Sequence, residues 1–185
     1  MTRIIGLSGS LRKGSYNTAL LHTAKELMPA GVDFHIASIE GIPLFNEDVE
    51  KEGAPAVVNA LKDLFIGADG ILISTPEYNN SIPGVLKNAI DWISRPTADM
   101  AKVFHNKPFA LMGATPSGFG TLNAQTAWLQ LIRYFKLRPC FANAIYLSTA
   151  HEKFDADLKL KDEMILTNLK KFLADFIAFT QHELS

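Results

Sequence analysis

Apolar and polar positions follow one another in blocks that predict strands and helices in alternation. Continuous apolar runs and stretches of alternating polarity predict strands. These are Ile4–Leu7, Val32–Ala37, Gly70–Thr75, Pro108–Ala114 and about Phe141–Leu147. Apolar residues three and four positions apart predict helices between the strands. These begin near Asn17, cover Ala56–Ile66, begin at Pro83, and cover about Thr121–Phe135 and Ala156–Thr180.

Five strands that alternate with five helices predict an α/β fold with a doubly wound parallel sheet. The stretch Glu40–Pro55 is predicted to be a loop, and no repeat or linker divides the chain, so we expect one domain over residues 1–185. In such a sheet, ligands bind beyond the carboxyl ends of the strands. Three loops rich in small and polar residues are expected to meet there: Ser8–Ser15, Thr75–Pro83 and Thr115–Gly120.

Charge and composition narrow the classes of function. The formal net charge of −1 gives no reason to expect nucleic acid or an anionic membrane as a partner. The single cysteine, Cys140, excludes an intrachain disulfide and a multi-cysteine metal site, and its apolar neighbours favour a buried structural thiol. No segment approaches the ~20 apolar residues of a membrane span, and no signal-peptide pattern is present. The expected location is the cytoplasm.

The first loop joins an apolar strand to a helix through small and polar residues, in the stretch RIIGLSGSLRKGSYNTALL. A helix start presents unpaired backbone N–H groups and the positive end of its dipole, and either Ser15 or Asn17 is placed to cap it. We therefore interpret this loop as a phosphate-binding site, with an ordinary flexible connection as the alternative. The Walker lysine is absent because Ser15 takes its position, and the G-x-G-x-x-G and G-x-S-x-G spacings are absent too.

The loop after the third strand places an aromatic ring among hydrogen-bonding side chains, and Pro76 and Pro83 stiffen its two ends. A planar heterocycle needs this combination of an apolar face and polar donors. Backbone N–H groups of Ser117–Gly120 are placed to contact a second edge of the same ring. A phosphate site with a flat ring site describes a mononucleotide. Flavin mononucleotide (FMN) fits better than FAD or NAD, which need a dinucleotide crevice with its own fingerprint.

Four stretches carry a resemblance to a known family, namely GLSGSLRKGSYNTALL, PLFNEDVE, TPEYNNSIPGVLKNAIDWISR and SGFGTLNAQ. In matching order over about Arg3–Glu163, they resemble the NADPH-dependent FMN reductase family of flavodoxin-like proteins, which includes bacterial quinone, chromate and azo-dye reductases. The resemblance implies a flavodoxin-like sheet with strand order 2-1-3-4-5. It also implies an oxidoreductase in which hydride passes from NADPH or NADH to flavin N5 and then to quinones, azo compounds, free flavin or chromate.

The resemblance further implies which residues bind FMN. The phosphate would be held by Ser10, Arg12, Ser15, Asn17 and Thr18. The isoalloxazine ring would be contacted by Pro76, Glu77, Tyr78 and Asn79, with Ser117 and Gly118 near its pyrimidine edge. Such chemistry requires neither a protein nucleophile nor a metal, and the five histidines lie outside the three loops.

Two positions depart from the family pattern. Many chromate- and quinone-reducing members carry Gly-Gly-x-Arg in the fourth loop and a glutamate at the fifth strand, which pair across a tetramer interface. Here these positions are Gly120–Asn123 and Asn143–Ala144, so we expect a homodimer, with a tetramer as the alternative. Two other functions stay open. One is a flavodoxin-type electron carrier without its own NAD(P)H activity, which the net charge of −1 disfavours; the other is a P-loop-like nucleotide binder or phosphatase.

Overall fold

A parallel β-sheet forms the centre of the molecule in a computed structural model that describes residues 1–182. Its strands are Thr2–Ser8 (β1), Val32–Ala37 (β2), Gly70–Ser74 (β3), Pro108–Ala114 (β4), Arg138–Pro139 (β5) and Ile145–Leu147 (β6). The sheet order is β2-β1-β3-β4-β5, and β6 also pairs with β4. All pairs are parallel. The predicted doubly wound, flavodoxin-like order is confirmed.

Helices cover both faces of this sheet. The helices are Tyr16–Glu26 (α1), Glu47–Glu52 (α2), Ala56–Ile66 (α3), Gly84–Ile93 (α4), Met100–Phe104 (α5), Leu122–Phe135 (α6), Ala150–Lys153 (α7) and Glu163–Gln181 (α8). One apolar core lies between the sheet and α1 with α8, and a second lies between the sheet and α3, α4, α5 and α6. Because β3 is buried along its whole length, it reads as a continuous apolar run.

The amphipathic helices form where the apolar spacing predicts them. In α4 the buried residues are Leu86, Ala89, Ile90, Trp92 and Ile93, which recur at the period of a helical face. The short α5 and α7 were not indicated by the pattern, since neither is long enough to show a period. None of the helices within residues 1–182 is long and apolar enough to cross a membrane.

The prediction of a single fifth strand at about Phe141–Leu147 is wrong, because the structure has two short strands, β5 and β6, in this part of the chain. The residues between β5 and β6 leave the ladder after the Cys140 N–H donates to the Phe109 carbonyl at 2.8 Å. Phe141 is then 68% exposed, and the Asn143 amide donates to the Asp175 carboxylate of α8. The segment between the two strands is thus bonded to α8 through a side chain. Cys140 itself is buried, as predicted, and is not in a disulfide.

The last helix is also wrong at its start, which lies at Glu163 rather than Ala156. The Asp155 carboxylate accepts hydrogen bonds from the backbone N–H groups of Asp157 at 3.0 Å and Lys159 at 2.8 Å. Such local side-chain bonds compete with helix formation. The helix begins only where Asp162 caps it, accepting from the Ile165 N–H at 3.1 Å.

The predicted loop Glu40–Pro55 contains the short helix α2, so this prediction is wrong in part. Asn46 caps α2 by accepting from the Asp48 N–H at 2.9 Å, and three acidic residues lie in its first turn, where they favour the helix dipole. The segment before it is held to α4, because the Pro43 carbonyl accepts from the Trp92 indole N–H at 2.8 Å. The Glu50 carboxylate pairs with the Arg95 guanidinium at 2.9 Å.

Candidate functional site

The three polar loops meet at the carboxyl edge of the sheet, as the strand order requires. The first loop follows β1, and its Gly9 N–H donates to the Ser74 carbonyl at the end of β3, at 2.9 Å. The second loop begins with Thr75, whose N–H donates to the Met112 carbonyl of β4 at 2.9 Å. The third loop begins with Thr115, whose N–H donates to the Leu147 carbonyl of β6 at 2.9 Å. Each loop therefore begins fixed to the neighbouring strand.

Hydroxyl groups organise the first loop. The Ser8 Oγ accepts from the Thr18 hydroxyl at 2.9 Å and from the Ser10 N–H at 3.3 Å. The Ser10 Oγ in turn accepts from the Arg12 N–H at 3.3 Å. Ser15 is the cap residue of α1, because its Oγ accepts from the Thr18 N–H at 3.3 Å. The loop is thus folded around its own side chains, in addition to the long-range bond of its Gly9 to Ser74.

The start of α1 suits an anion. Its first-turn N–H groups have no acceptor within the helix, and the first turn contains no acidic side chain that would compensate the positive end of the dipole. The Arg12 guanidinium lies over the Tyr16 ring at 5.4 Å, and both Arg12 and Lys13 are exposed. Backbone donors, hydroxyls and two cations therefore surround the helix start, a donor set that matches a phosphate.

The Asn17 side chain makes contacts that differ from those of its neighbours in this loop. It is 4% exposed, and its Nδ2 donates to the Ala114 carbonyl at 2.8 Å. Its Oδ1 accepts from the Ala114 N–H at 3.0 Å and from the Ser74 hydroxyl at 3.1 Å. The side chain predicted to hold a phosphate thus bonds to the ends of β3 and β4.

The second loop contains a tight hairpin. Tyr78 and Ser81 exchange backbone hydrogen bonds at 3.2 and 3.1 Å, and the two residues between them, Asn79 and Asn80, have φ of 51° and 59°. Positive φ at both central positions is the geometry of a type I′ turn, which asparagine tolerates. Pro76 is buried, whereas the Tyr78 side chain at the hairpin is 47% exposed. The hairpin presents an aromatic ring on a rigid base.

Glu77 joins the second loop to the third. Its Oε2 accepts from the Ala124 N–H at 3.0 Å and its Oε1 from the Asn123 amide at 3.4 Å, both in the first turn of α6. Thr121, at the cap position of α6, makes no side-chain capping bond, so Glu77 supplies the cap from another loop. Glu77 was predicted to contact an isoalloxazine ring, and its carboxylate is already engaged in capping α6. No local pattern in the sequence indicates a cap from 47 positions away.

The third loop lies beside the hairpin and is anchored at its start. The Thr115 and Ser117 hydroxyls are 3.2 Å apart, and their carbonyls accept from the N–H groups of Ala150 at 3.0 Å and Thr149 at 3.1 Å. Gly118 and Phe119 follow and are exposed, and the Phe119 side chain is 70% exposed. The loop is thus held at one end and presents Ser117, Gly118 and an aromatic ring to solvent.

Two glycines allow the close packing beneath this loop, and the sequence analysis missed both. A Cβ on Gly113 would lie 2.0 Å from the Thr121 Oγ1 and 2.5 Å from the Thr75 carbonyl oxygen. Gly120 has φ of 59°, and a Cβ there would lie 2.5 Å from the Tyr146 carbonyl oxygen. Both positions therefore require glycine. The only signal in the sequence is their place at the end of β4 and at the start of α6.

One hollow on the surface lies away from these loops. A cavity of about 440 Å³ lies between α6 and the divided edge strand. Its lining is mainly apolar and includes Leu129, Cys140 and Phe141. None of its lining residues belongs to the three loops. The candidate site is instead the stretch of the sheet edge from the polar start of α1 to the exposed Tyr78 and Phe119 side chains.

The sheet order and the helices on both faces define a protein of the flavodoxin type. The backbone and side-chain donors at the start of α1 are of the kind that binds a phosphate. The sequence profile of the NADPH-dependent FMN reductase family matches residues 2–152, and the chain belongs to that family. It is therefore an NAD(P)H-dependent oxidoreductase with FMN as its cofactor, and this result favours the enzyme over the electron-carrier alternative.

Individual relatives agree with this assignment. The chain is 44% identical over 161 residues to an NAD(P)H-dependent FMN reductase of Pseudomonas aeruginosa, covering 87% of this chain and 85% of the relative. It is 34% identical over 179 residues to a 2-hydroxy-1,4-benzoquinone reductase of Burkholderia sp, covering 97% and 96%. The solved structure of FerB, a flavoenzyme NAD(P)H:(acceptor) oxidoreductase of Paracoccus denitrificans, is 31% identical with a TM-score of 0.87 over 98% of both chains.

Proposed function

We propose that this protein is an NAD(P)H:quinone oxidoreductase whose FMN lies along the carboxyl edge of β1, β3 and β4. The observation that carries the proposal is the placement of an acid-free helix start, α1, on the same sheet edge as the Tyr78 hairpin and the Thr115–Gly120 loop. A quinone reductase from Burkholderia sp and another from Arabidopsis thaliana, 38% identical over 97% of this chain, support quinones as the acceptors.

At the phosphate end, we assign hydrogen bonds to the side chains of Ser10 and Arg12, and to Thr18 once its hydroxyl turns from the Ser8 Oγ, to which it donates at 2.9 Å, toward the phosphate. The Ser15 Oγ accepts the capping bond of α1 and keeps its O–H as a donor, and the backbone N–H groups of Ser15 and Asn17 are further donors. Arg12 adds a charge-assisted bond, which is about twice as strong as a neutral one. These residues bind and orient the cofactor, and they take no part in proton or hydride movement.

At the ring end, FMN supplies the redox chemistry when bound, taking hydride from NAD(P)H and passing it to an acceptor. Pro76 and Tyr78 provide the apolar surface against the ring, and the backbone groups of Glu77, Asn79, Ser117 and Gly118 meet its polar edges. Backbone donors near the pyrimidine edge stabilise negative charge that develops there. The hairpin, together with the Glu77 carboxylate that caps α6, holds these groups in place before a substrate binds.

Quinones suit this site better than small anions do. Two exposed aromatic side chains, Tyr78 and Phe119, flank the ring end, and a planar apolar acceptor gains from stacking against such rings. A chromate ion gains nothing from them. We therefore expect the highest kcat/KM with quinones, followed by azo compounds, then free flavin and chromate.

The test is steady-state kinetics of the FMN-loaded enzyme with NADPH or NADH and with menadione, an azo dye, free FMN and chromate as acceptors. We expect Phe119→Ala to raise the KM for menadione about fivefold, the effect of losing one aromatic contact, and to leave the rate of reduction by NADPH unchanged. Phe141→Ala is the matched control, since Phe141 is 68% and Phe119 70% exposed and Phe141 lies at the divided edge strand. Equal effects of the two variants would argue against the assigned acceptor site.

We also propose a homodimer in the cytoplasm. The family expectation supports the dimer, and the absence of an arginine and a glutamate at the tetramer positions Gly120–Asn123 and Asn143–Ala144 disfavours the tetramer. Sedimentation of the FMN-loaded protein at several concentrations decides between these states. A tetramer that persists on dilution would show that another contact replaces the missing ion pair.

A further inference from the structure

We propose that Asn17 is a positioning residue, which fixes the phosphate end of the site relative to the ring end; this inference rests on the proposed function. Its side chain is 4% exposed and makes three hydrogen bonds to the last residues of two strands. Neither strand carries the phosphate loop. The bonds therefore assign its amide a role across the sheet edge rather than at the phosphate.

The orientation of this amide follows from its partners. Ala114 presents one N–H and one carbonyl to Asn17, so the Oδ1 must face the N–H, at 3.0 Å, and the Nδ2 must face the carbonyl, at 2.8 Å. A reversed amide would bring two donors together and two acceptors together. The Ser74 hydroxyl, at 3.1 Å, takes the second lone pair of Oδ1. Both acceptor positions and one N–H of the amide are then in use.

The bonded residues stand immediately before the two ring loops. Ala114 ends β4 and precedes Thr115, and Ser74 ends β3 and precedes Thr75. The phosphate loop follows β1, which neighbours β3 but not β4 in the sheet. No ladder hydrogen bond can therefore join that loop to the start of the third loop. The Asn17 amide makes this connection, between residues 97 positions apart.

Removal of the amide would leave the N–H and carbonyl of Ala114 buried without hydrogen-bond partners. Because an unpaired buried polar group costs free energy, we expect the end of β4 to move. The start of the third loop would move with it. The ring end of the cofactor would then fit less well, while the hydroxyls and cations at the start of α1 would stay in place. A residue that touched the phosphate would have the opposite effect.

The test compares FMN with riboflavin, which lacks the phosphate, by measuring the dissociation constants of both for the purified protein. We expect Asn17→Ala to weaken both by a similar factor, about tenfold for the loss of a buried hydrogen-bonded pair, and to alter the visible spectrum of bound FMN. Arg12→Ala, the control at the phosphate, should weaken FMN alone. The proposal is overturned if Asn17→Ala weakens FMN and leaves riboflavin unchanged, or if it changes neither.

Hydrogen exchange of the flavin-free protein provides a second readout. Exchange at the Ala114 amide should be about tenfold faster in Asn17→Ala, with exchange in the middle of α1 unchanged. Equal exchange at Ala114 in both proteins would overturn the proposed positioning role of Asn17. If Asn17→Ala does not fold, Ser74→Ala removes one of the three bonds and should weaken both flavins about threefold. If the unmodified protein binds no flavin at all, the proposed function fails, and hydrogen exchange still decides whether Asn17 holds β4.

Discussion

The two ends of the candidate site are built in different ways. At the phosphate end, Ser8, Ser10, Ser15 and Thr18 bond to one another within ten positions of the chain. At the ring end, the holding bonds join residues far apart, such as Glu77 with Ala124 across 47 positions. The hydroxyl bonds of the phosphate end are therefore local in the sequence, whereas the bond that joins the two ring loops forms only when the sheet brings distant residues together. Substitutions that act on packing should damage the ring end, and those that act on charge should damage the phosphate end.

The largest expected effect is that of a methyl group beneath the ring end. Gly113→Ala would place a Cβ 2.0 Å from the Thr121 Oγ1 and 2.5 Å from the Thr75 carbonyl oxygen, so the free energy of unfolding should fall by about 3 kcal/mol. Gly14→Ala is the matched control at the phosphate end, since a Cβ there meets nothing within 4 Å; we expect a change within about 0.5 kcal/mol. Urea unfolding measures both. Equal losses would remove the distinction between the two ends.

The next effect concerns charge at the phosphate end. Arg12→Ala removes a cation from a loop without acidic residues, and FMN affinity should fall about 30-fold, the worth of one charge-assisted hydrogen bond. The free energy of unfolding should stay within about 0.5 kcal/mol of its original value, because the side chain is exposed. Fluorescence titration with FMN at low and high salt measures the affinity. An unchanged affinity would place the phosphate elsewhere.

A smaller effect is expected from the cap that joins the second and third loops. Glu77→Ala leaves the first turn of α6 without its acceptor, so the free energy of unfolding should fall by about 1 kcal/mol. Glu77→Gln keeps an oxygen acceptor and loses only the charge, so it should lose about half as much. Thermal and urea unfolding of the flavin-free proteins measure this. If Glu77→Gln lowers the free energy of unfolding as much as Glu77→Ala does, the charge of Glu77 rather than its hydrogen bond stabilises the first turn of α6.

The smallest effect lies outside both ends. The pKa of Asp162 is below its ordinary value, chiefly because the carboxylate accepts from the Lys153 ammonium and also from the Ile165 N–H. Its stabilisation is present above the pKa of the unfolded chain and is lost as pH falls through the folded value. Asp162→Asn still caps α8 but lacks this ion pair, so the urea midpoints of the two proteins should differ at pH 7 and converge below about pH 3.9. FMN affinity should not change.

Much of this fold could be predicted because its signals are local. The strand Val32–Ala37 and the helix Ala56–Ile66 were predicted with the bounds that the structure has, since each shows a clear period. The end of the sheet could not be predicted, because β5 and β6 are separate strands and the bond from Asn143, which lies between them, to Asp175 of α8 joins residues distant in the sequence. The start of α8 was missed since Asp155 binds nearby backbone N–H groups, and a helical period does not reveal that.

The same division holds within the site. The first loop was predicted to bind a phosphate from its serines and the following helix, and the family resemblance grouped Asn17 with those serines, although the Asn17 side chain bonds to Ser74 and Ala114, far away in the sequence. The same resemblance grouped Glu77 with the ring contacts. Polar residues that bond across the sheet edge look, in a sequence, like polar residues that bind a ligand.

The central claim is that this site binds FMN and passes it electrons from NAD(P)H. The most direct measurement is anaerobic rapid mixing of the FMN-loaded protein with NADPH and with NADH, followed by the visible absorbance of the flavin and then by addition of menadione. We expect the flavin absorbance to bleach with at least one of the two donors and to return fully with the quinone. A protein that takes up no FMN, or bound FMN that stays oxidised with both donors, would contradict it.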